Sequence, residues 1–431
     1  MKIEILCTGD EILSGKTVNT NYSQMARRLQ ENGFNAYWGT VVGDDRESLE
    51  VAFQQAAERA DVVIVNGGLG PTVDDLSQEV AAHAAGVELE LREEWLNHIR
   101  GWYESRGRKM PGNNDKQAMR PMGAELIDNP VGTACGFAIS IKQARFMFTP
   151  GVPMEMRKMM EEQILPRLIE MRGTNLVTGL KRFHTFGLGE SRADMLLKGV
   201  EDIIPGGLVK LGFQSHFPQL EIKLTTSAEN EKDLMPRLAP VVEAVNKSVG
   251  DYIVAEDDET LEGIILRGLE NIDGSVSVFE TLTAGAIFGR LCGLNNEDSR
   301  FKWGLASLDY RSSGELLGLV IDEGMQRAEV VKKIATALKS KSGATHGLAV
   351  LVDWQTQNDS AEGRPRQNEE QCVDVFIGVS SGNGIQSRTA TFPGSIKWVK
   401  SGITELALDC LRRSVLGLPM YQRTDFEQHD I

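Results

Sequence analysis

The stretch Asp61-Val62-Val63-Ile64-Val65-Asn66-Gly67-Gly68-Leu69-Gly70-Pro71-Thr72-Val73-Asp74-Asp75 decides the fold. Its first part is a continuous apolar run between polar ends, the mark of a strand buried on both faces of a parallel sheet. Gly67–Thr72 reads as a tight loop, and a helix is expected from Asp74 onward. Working outward, residues 3–7 read as a short strand ending in a polar turn at Thr8-Gly9-Asp10. Residues 20–32 have helical spacing, with Met25 and Leu29 four apart and Gly33 where a C-cap glycine belongs. Residues 35–42 read as a second strand and 46–59 as a second helix. This βαβαβ order predicts a parallel α/β sheet with right-handed crossovers, whose ligands sit at the carboxyl ends of the strands. Both polar turns fall at such ends. Residues 144–150 add a strand, and 154–171 a helix broken by Pro166.

The chain has 431 residues, which at about 150 per domain suggests three domains. The boundaries expected are 1–172, 177–254 and 255–420. Residues 177–254 read as a small α+β unit, with strands at 181–186 and 219–225 and helices at 190–197 and 234–248. Residues 255–420 read as a third α/β unit, with strands at 276–280, 346–352 and 373–379 and helices at 261–268, 286–291, 328–339 and 398–416. The tail from Pro419 is expected to be loose.

Composition narrows the function. The net charge is −15, from 46 basic and 61 acidic residues, so general binding to nucleic acid or to an anionic membrane is not expected. Hydrophobic residues at 41% exclude disorder over most of the chain. Cys7, Cys135, Cys292, Cys372 and Cys410 are scattered and form no CxxC pair, which argues against a disulfide framework or a structural zinc. The first residues lack the apolar region of a signal peptide, and there is no long apolar run to span a membrane, so a cytoplasmic protein is expected.

Two loops carry candidate chemistry. The glycines Gly67, Gly68 and Gly70 allow close backbone approach to a phosphate, and the helix behind them adds favourable potential. Asp74 and Asp75 would repel that phosphate unless a divalent cation bridges them, which suggests a metal–phosphate site. Asp10 and Glu11 lie on the other loop. The plain alternative is that such turns are common in α/β domains and that an Asp there only caps a helix.

Two further segments, Asn129-Pro130-Val131-Gly132-Thr133-Ala134 and Thr149-Pro150-Gly151-Val152-Pro153-Met154-Glu155, join the two loops in one pattern. The run GDEIL-x-G with TN, NGGLGPT-x-DD, NPVGTA-x-GF and TPGVPMEM resembles the competence/damage-inducible protein CinA family over residues 1–170. That region is also similar to the molybdopterin-binding domains of molybdenum-cofactor biosynthesis. The resemblance implies a metal-dependent ADP-ribose pyrophosphatase acting on a small-molecule nucleotide, with magnesium, cobalt or manganese as the ion. Asp74, Asp75 and Glu11 are then the expected catalytic residues, and Asp10 and Asp75 the expected metal ligands. Asn19, Asn21, Gly67, Gly68, Gly70, Pro71, Thr72, Asn129, Gly132, Thr133, Pro150 and Gly151 are the expected substrate contacts. A homodimer is implied by the same resemblance. A binding module that holds a nucleotide or pterin without turnover is the alternative from another class.

Residues 183–191 (FHTFGLGES) resemble the segment that opens a KH-like domain in this family, but they hold no GXXG loop, so the role expected is structural. The third region resembles the CinA C-terminal domain, whose stand-alone relatives hydrolyse nicotinamide mononucleotide to nicotinic acid mononucleotide. The family's serine turn reads here Glu280-Thr281-Leu282-Thr283-Ala284-Gly285, with Thr281 at the nucleophile position. Leu308 stands where the family has Tyr, Ser313 where it has Lys, and Asp353-Trp354-Gln355-Thr356-Gln357 where a glycine-rich segment follows a strand. Leucine carries no proton and serine no cation, so a retained fold with lost amidase chemistry is expected, and a nicotinamide mononucleotide amidase stands as the other alternative to the pyrophosphatase.

Overall fold

The computed structural model describes residues 1–173, 177–293, 300–354 and 371–428. They form two compact units, residues 1–179 with 227–234, and residues 180–226 with 235–431.

The first unit is built on a six-stranded sheet in the order Ala36–Val42, Ile3–Thr8, Val62–Asn66, Ala144–Thr149, Gly136–Ile141, Glu125–Ile127. The first four strands are parallel and the last two antiparallel, so the sheet is mixed and carries an antiparallel edge. The central strand Val62–Asn66 is buried along its whole length. Val63 and Val65 pack into a cluster with Phe53, Phe137, Phe146 and Phe148. Val62 and Ile64 face the other way, toward Met25, Leu29, Met156 and Met159. An apolar residue at every position is what a strand covered on both faces requires, and each such side chain contributes about 1.5–3 kcal/mol on burial.

Two local expectations are corrected. The helix after the glycine loop is Ser77–Ala85 and does not begin at Asp74. The Asp75 carboxylate accepts hydrogen bonds from the Thr72 amide at 2.8 Å and from the Thr72 hydroxyl, closing a turn that competes with helix. Pro166 does not break its helix: Pro153–Met159 and Leu165–Arg172 join through a π turn at Met160–Ile164. Proline has no N–H and crowds the preceding turn, and the wider π turn ahead of it accommodates both.

The second unit holds the hairpin Val209–His216 and Gln219–Ala228, in which Leu220, Ile222 and Leu224 alternate inward as expected. It also holds a five-stranded sheet in the order Phe301–Ala306, Val276–Glu280, His346–Trp354, Gln371–Ser381, Gly384–Gly394. The first three are parallel and the rest antiparallel. The helix Ile396–Val415 supplies Ile403, Leu406, Ala407 and Leu411 to the cluster on one face. Arg327–Ser342 supplies Val330, Val331, Ile334 and Leu338 to a second cluster.

The tail beyond Pro419 is held down rather than loose. Arg388 and Glu427, both buried, form an ion pair, and Arg388 also donates to the Gln422 carbonyl at 2.6 Å. Asp425 accepts from the Gly189 amide at 2.8 Å and from Arg192 at 2.6 Å. Phe426 lies edge-on to Phe217, with ring centroids 5.3 Å apart. No helix among the described residues is long and apolar enough to cross a membrane.

Candidate functional site

The loops at the carboxyl ends of the parallel strands in the first unit enclose a cleft of about 460 Å³. Gly67 and Gly68 adopt φ of 114° and 69°, where glycine is favoured. A Cβ on Gly68 would lie 2.3 Å from Ser77 Oγ, and one on Gly70 would lie 2.4 Å from the Asp75 carboxylate. The Ser77 hydroxyl donates to the Gly67 carbonyl at 2.9 Å and the Ser77 amide to the Gly68 carbonyl at 3.1 Å. The loop is therefore fastened to the start of the helix Ser77–Ala85.

The expected residues divide into cleft walls and loop fasteners. Glu11, Gly67, Gly68, Gly70 and Pro71 line the cleft, as do Asp74, Asp75, Thr133, Pro150 and Gly151. Asn21 is a fastener: its Nδ2 donates to Asn66 Oδ1 at 2.9 Å and to the Gly151 carbonyl at 2.7 Å. Asn66 Nδ2 in turn donates to the Pro150 carbonyl at 2.7 Å. Asn129 donates to Glu155 at 2.7 Å and to the Ala134 carbonyl at 2.8 Å, while its Oδ1 accepts from the Gly132 amide at 3.1 Å. Asn19 caps the helix Thr20–Glu31 by accepting from the Tyr22 amide at 3.0 Å. Thr72 spends its amide and hydroxyl on Asp75. Gly132 leaves room for Glu155, whose carboxyl carbon would lie 2.2 Å from a Cβ there. The side chains of Asn19, Asn21, Thr72 and Asn129 thus make hydrogen bonds within the protein that tie the loops around the cleft.

The expected metal pair is also engaged locally. Asp10 Oδ1 accepts from the Asp44 amide at 3.3 Å, and the Asp10 amide donates to Asp44 at 3.0 Å. Among the described residues, no three His, Cys, Asp or Glu side chains converge into a group able to hold a metal ion. Asp75 lines the cleft, whereas Asp10 is held against Asp44 and is not among the lining residues.

Thr8 and Glu155, which the sequence offered only as members of their motifs, line the cleft, as do Asp44 and Gln117, which it did not single out. Thr8 Oγ1 and Gln117 Oε1 are buried and without a hydrogen-bond partner among the described residues. Burial pushes the Glu155 carboxyl above the usual carboxylate range, against the hydrogen bond from Asn129. Burial also pushes Asp44 up, and the carboxylates of Asp10, Glu11 and Asp74 add to the rise. Glu155 lies in the first turn of the helix Pro153–Met159, directly after the Thr149-Pro150-Gly151 loop at the end of a parallel strand.

In the second unit, Thr281 follows the strand Val276–Glu280. The Glu280 carboxylate accepts from the Thr283 hydroxyl and from the amides of Ile287 at 3.2 Å and Phe288 at 3.1 Å, which folds the turn onto the helix Ala286–Cys292. Ala284 and Gly285 take φ of 56° and 92°. The Thr281 hydroxyl is buried and donates to the Val350 carbonyl at 3.4 Å, a weak contact. Leu308 is 73% exposed, and the Ser313 hydroxyl donates to the Asp309 carbonyl at 3.0 Å. Asp353 accepts from Arg327 at 2.9 Å, whereas Gln355-Thr356-Gln357 lie outside the described residues.

Residues 4–170 match the family model described as "Probable molybdopterin binding domain", and residues 180–255 match "Damage-inducible protein CinA KH domain". A CinA-like protein of Shewanella sp. strain MR-4 is 35% identical over 422 residues, covering 96% of this chain and 96% of that protein. The chain belongs to the CinA-like protein family. Another relative of this CinA-like chain, the nicotinamide-nucleotide amidohydrolase PncC of Shewanella oneidensis, is 34% identical over 97% of the chain and 96% of its own length. The solved CinA protein of Thermoplasma acidophilum, 34% identical, covers 40% of the chain and 96% of its own, with a TM-score of 0.35.

These relatives correct the expected enzyme type. They carry the names CinA-like protein and nicotinamide-nucleotide amidohydrolase, so the reaction class they point to is amide hydrolysis, not ADP-ribose pyrophosphatase. The expectation of lost amidase chemistry rested on departures at Thr281, Leu308, Ser313 and residues 353–357 taken together; the end-to-end likeness to a named amidohydrolase points the other way.

Proposed function

We propose that this CinA-like chain hydrolyses the carboxamide of a nicotinamide nucleotide, releasing ammonia and leaving a carboxylate on the ring. One observation carries this reading: the likeness to a named nicotinamide-nucleotide amidohydrolase runs across 97% of the chain. The turn after Val276–Glu280 supports it. A hydroxyl stands at the carboxyl end of a parallel strand, and Glu280 braces the backbone behind it. In this reading the Thr281 oxygen adds to the amide carbon, ammonia departs with the hydroxyl proton, and water hydrolyses the resulting ester. The hydroxyl must first leave its weak contact with the Val350 carbonyl.

The methyl of threonine restricts χ1, so Thr281→Ser is expected to raise the rate of ammonia release and Thr281→Ala to abolish it. No ammonia from nicotinamide mononucleotide with either the unaltered chain or the serine variant refutes the reading.

A second reading, nucleotide binding without turnover, is favoured by a specific observation. Neither Leu308 nor Ser313 offers a proton acceptor or a cation to Thr281, while the cleft of the first unit is already formed. A rise in melting temperature with the nucleotide, and no ammonia after long incubation, supports that reading instead.

A further inference from the structure

A charged cluster stands at the carboxyl end of the strand His346–Trp354. Arg327 opens the helix Arg327–Ser342, and its Nε is held by the two carboxylate oxygens of Asp353, at 2.9 and 2.8 Å. The Arg327 guanidinium carbon lies 4.6 Å from the ring centroid of Tyr310, within cation–π reach. The two terminal nitrogens of Arg327 donate no hydrogen bond among the described residues. The Arg327 and Asp353 side chains are 27% and 40% exposed, so the pair itself adds little stability. What the pair does is fix a direction. The carboxylate takes Nε, the tyrosine ring covers one face, and the edge formed by Nη1 and Nη2 is left unused. An arginine held this way is preorganised to take two oxygens of one phosphate.

The cluster sits on the sheet that ends in Thr281. Glu280 pairs with Val350 on neighbouring parallel strands, and the Thr281 hydroxyl reaches the Val350 carbonyl. Phe279 and Leu351 both pack into the cluster of side chains under the helix Arg327–Ser342, with Tyr310 against it. Asp353 follows Leu351 by two residues and so lies on that same face. Crevices outside the carboxyl ends of parallel strands are where open α/β sheets hold ligands. Residues 353–362 contain no glycine, so a glycine turn bringing backbone amides to an anion does not follow this strand directly. A side chain can supply the donors instead. Arg311 adds a second cation, with its guanidinium carbon 6.0 Å from the Tyr310 ring and its partner Glu323 92% exposed.

We propose that Arg327, oriented by Asp353 and Tyr310, binds the phosphate monoester of the nucleotide substrate through its two terminal nitrogens. Asp353 acts here as a positioning residue. The inference rests on the nicotinamide-nucleotide reading above and deepens it, because it assigns the group that tells the nucleotide from its nucleoside.

Calorimetric titration of the full chain with nicotinamide mononucleotide and with nicotinamide riboside tests it, since the two differ only in the phosphate. The unaltered chain is expected to bind the nucleotide about tenfold or more tightly than the riboside. Arg327→Gln is expected to remove that preference by weakening the nucleotide and leaving the riboside unchanged. Arg327→Lys keeps the charge and loses the planar fork, and is expected to retain the preference in part. Asp353→Asn is expected to weaken the nucleotide alone. In turnover, Arg327→Gln is expected to raise KM for the nucleotide with kcat little changed. Equal affinity of the unaltered chain for the two compounds overturns the inference. So does a full preference in Arg327→Gln, and so does an equal loss for both compounds, which would mark the ion pair as structural. Ammonia release, read separately, keeps the two claims apart. A phosphate preference that Arg327→Gln removes, without ammonia, sinks the hydrolase reading and leaves this one. Ammonia released from both compounds with equal kcat/KM does the reverse.

Discussion

Asn21 Nδ2 donates to Asn66 Oδ1 at 2.9 Å inside the first unit, and the two side chains together hold the backbone of Pro150 and Gly151. Two strand ends and the start of the helix Thr20–Glu31, distant in sequence, are thereby fixed to one another by two amides. Deleting one amide strands buried donors and acceptors, which costs about 1–3 kcal/mol. Asn66→Ala is therefore expected to lower the unfolding free energy of the first unit by an amount in that range, seen as a lower urea midpoint, and to loosen the cleft. Urea unfolding followed by proteolysis at Gly67–Thr72 measures both effects; an unchanged midpoint counts against the fastening role.

Gly68 combines a φ of 69° with a position 2.3 Å from Ser77 Oγ for any Cβ. Gly68→Ala pays for both a left-handed backbone and a clash, about 1–3 kcal/mol for the backbone alone. The expected outcome is reduced stability, with loss of whatever ligand the cleft holds. Pairing it with Ser77→Ala is expected to recover part of the stability by removing the nearest atom.

His346 gives the second unit a pH dependence with a definite sign. Burial, and secondarily the charge of Lys339, hold its ring below the ordinary value of 6.5. The folded state therefore favours the neutral imidazole, while the unfolded chain takes up a proton more readily. The stabilisation is present above the unfolded value and is lost as pH falls through the folded one. Melting temperatures at pH 7 and pH 5 are expected to fall further for the unaltered chain than for His346→Gln. An equal fall in both would mean that other groups carry the effect.

The tail is expected to stabilise the second unit substantially. Arg388 and Glu427 are 2% and 5% exposed at their side chains, and removing one partner leaves a buried charge unpaired. Glu427→Ala is expected to cost about 3–5 kcal/mol. Thermal unfolding checks it, and a loss below about 1 kcal/mol would show that water reaches Arg388 readily.

Much of the fold was legible because strong patterns left little choice. Val62–Asn66 could only be a doubly buried strand, and the helix Arg46–Arg59 begins and ends where its spacing said. The strands Gly136–Ile141, Phe301–Ala306 and Gly384–Gly394 were missed. Two of them are largely exposed, and their pattern is set by tertiary pairing rather than by local periodicity. The tail failed for a related reason. Its anchors Arg388 and Arg192 lie far back in sequence, so nothing near Pro419 announced them. At the site, glycines and acids were readable as a motif. The roles of Asn21 and Asn129 were not, because an amide that fastens a loop and one that binds a ligand look the same in a sequence. Gln117 carried no local signal; only its burial without a partner marks it.

The central claim is that this CinA-like chain acts on the carboxamide of a nicotinamide nucleotide. Incubating the purified full chain with nicotinamide mononucleotide, and following ammonia together with the acid product by chromatography, tests it most directly. The account expects equal amounts of ammonia and nicotinic acid mononucleotide, both absent with Thr281→Ala. Turnover that persists in Thr281→Ala, or no product from the unaltered chain and from Thr281→Ser alike, would contradict it.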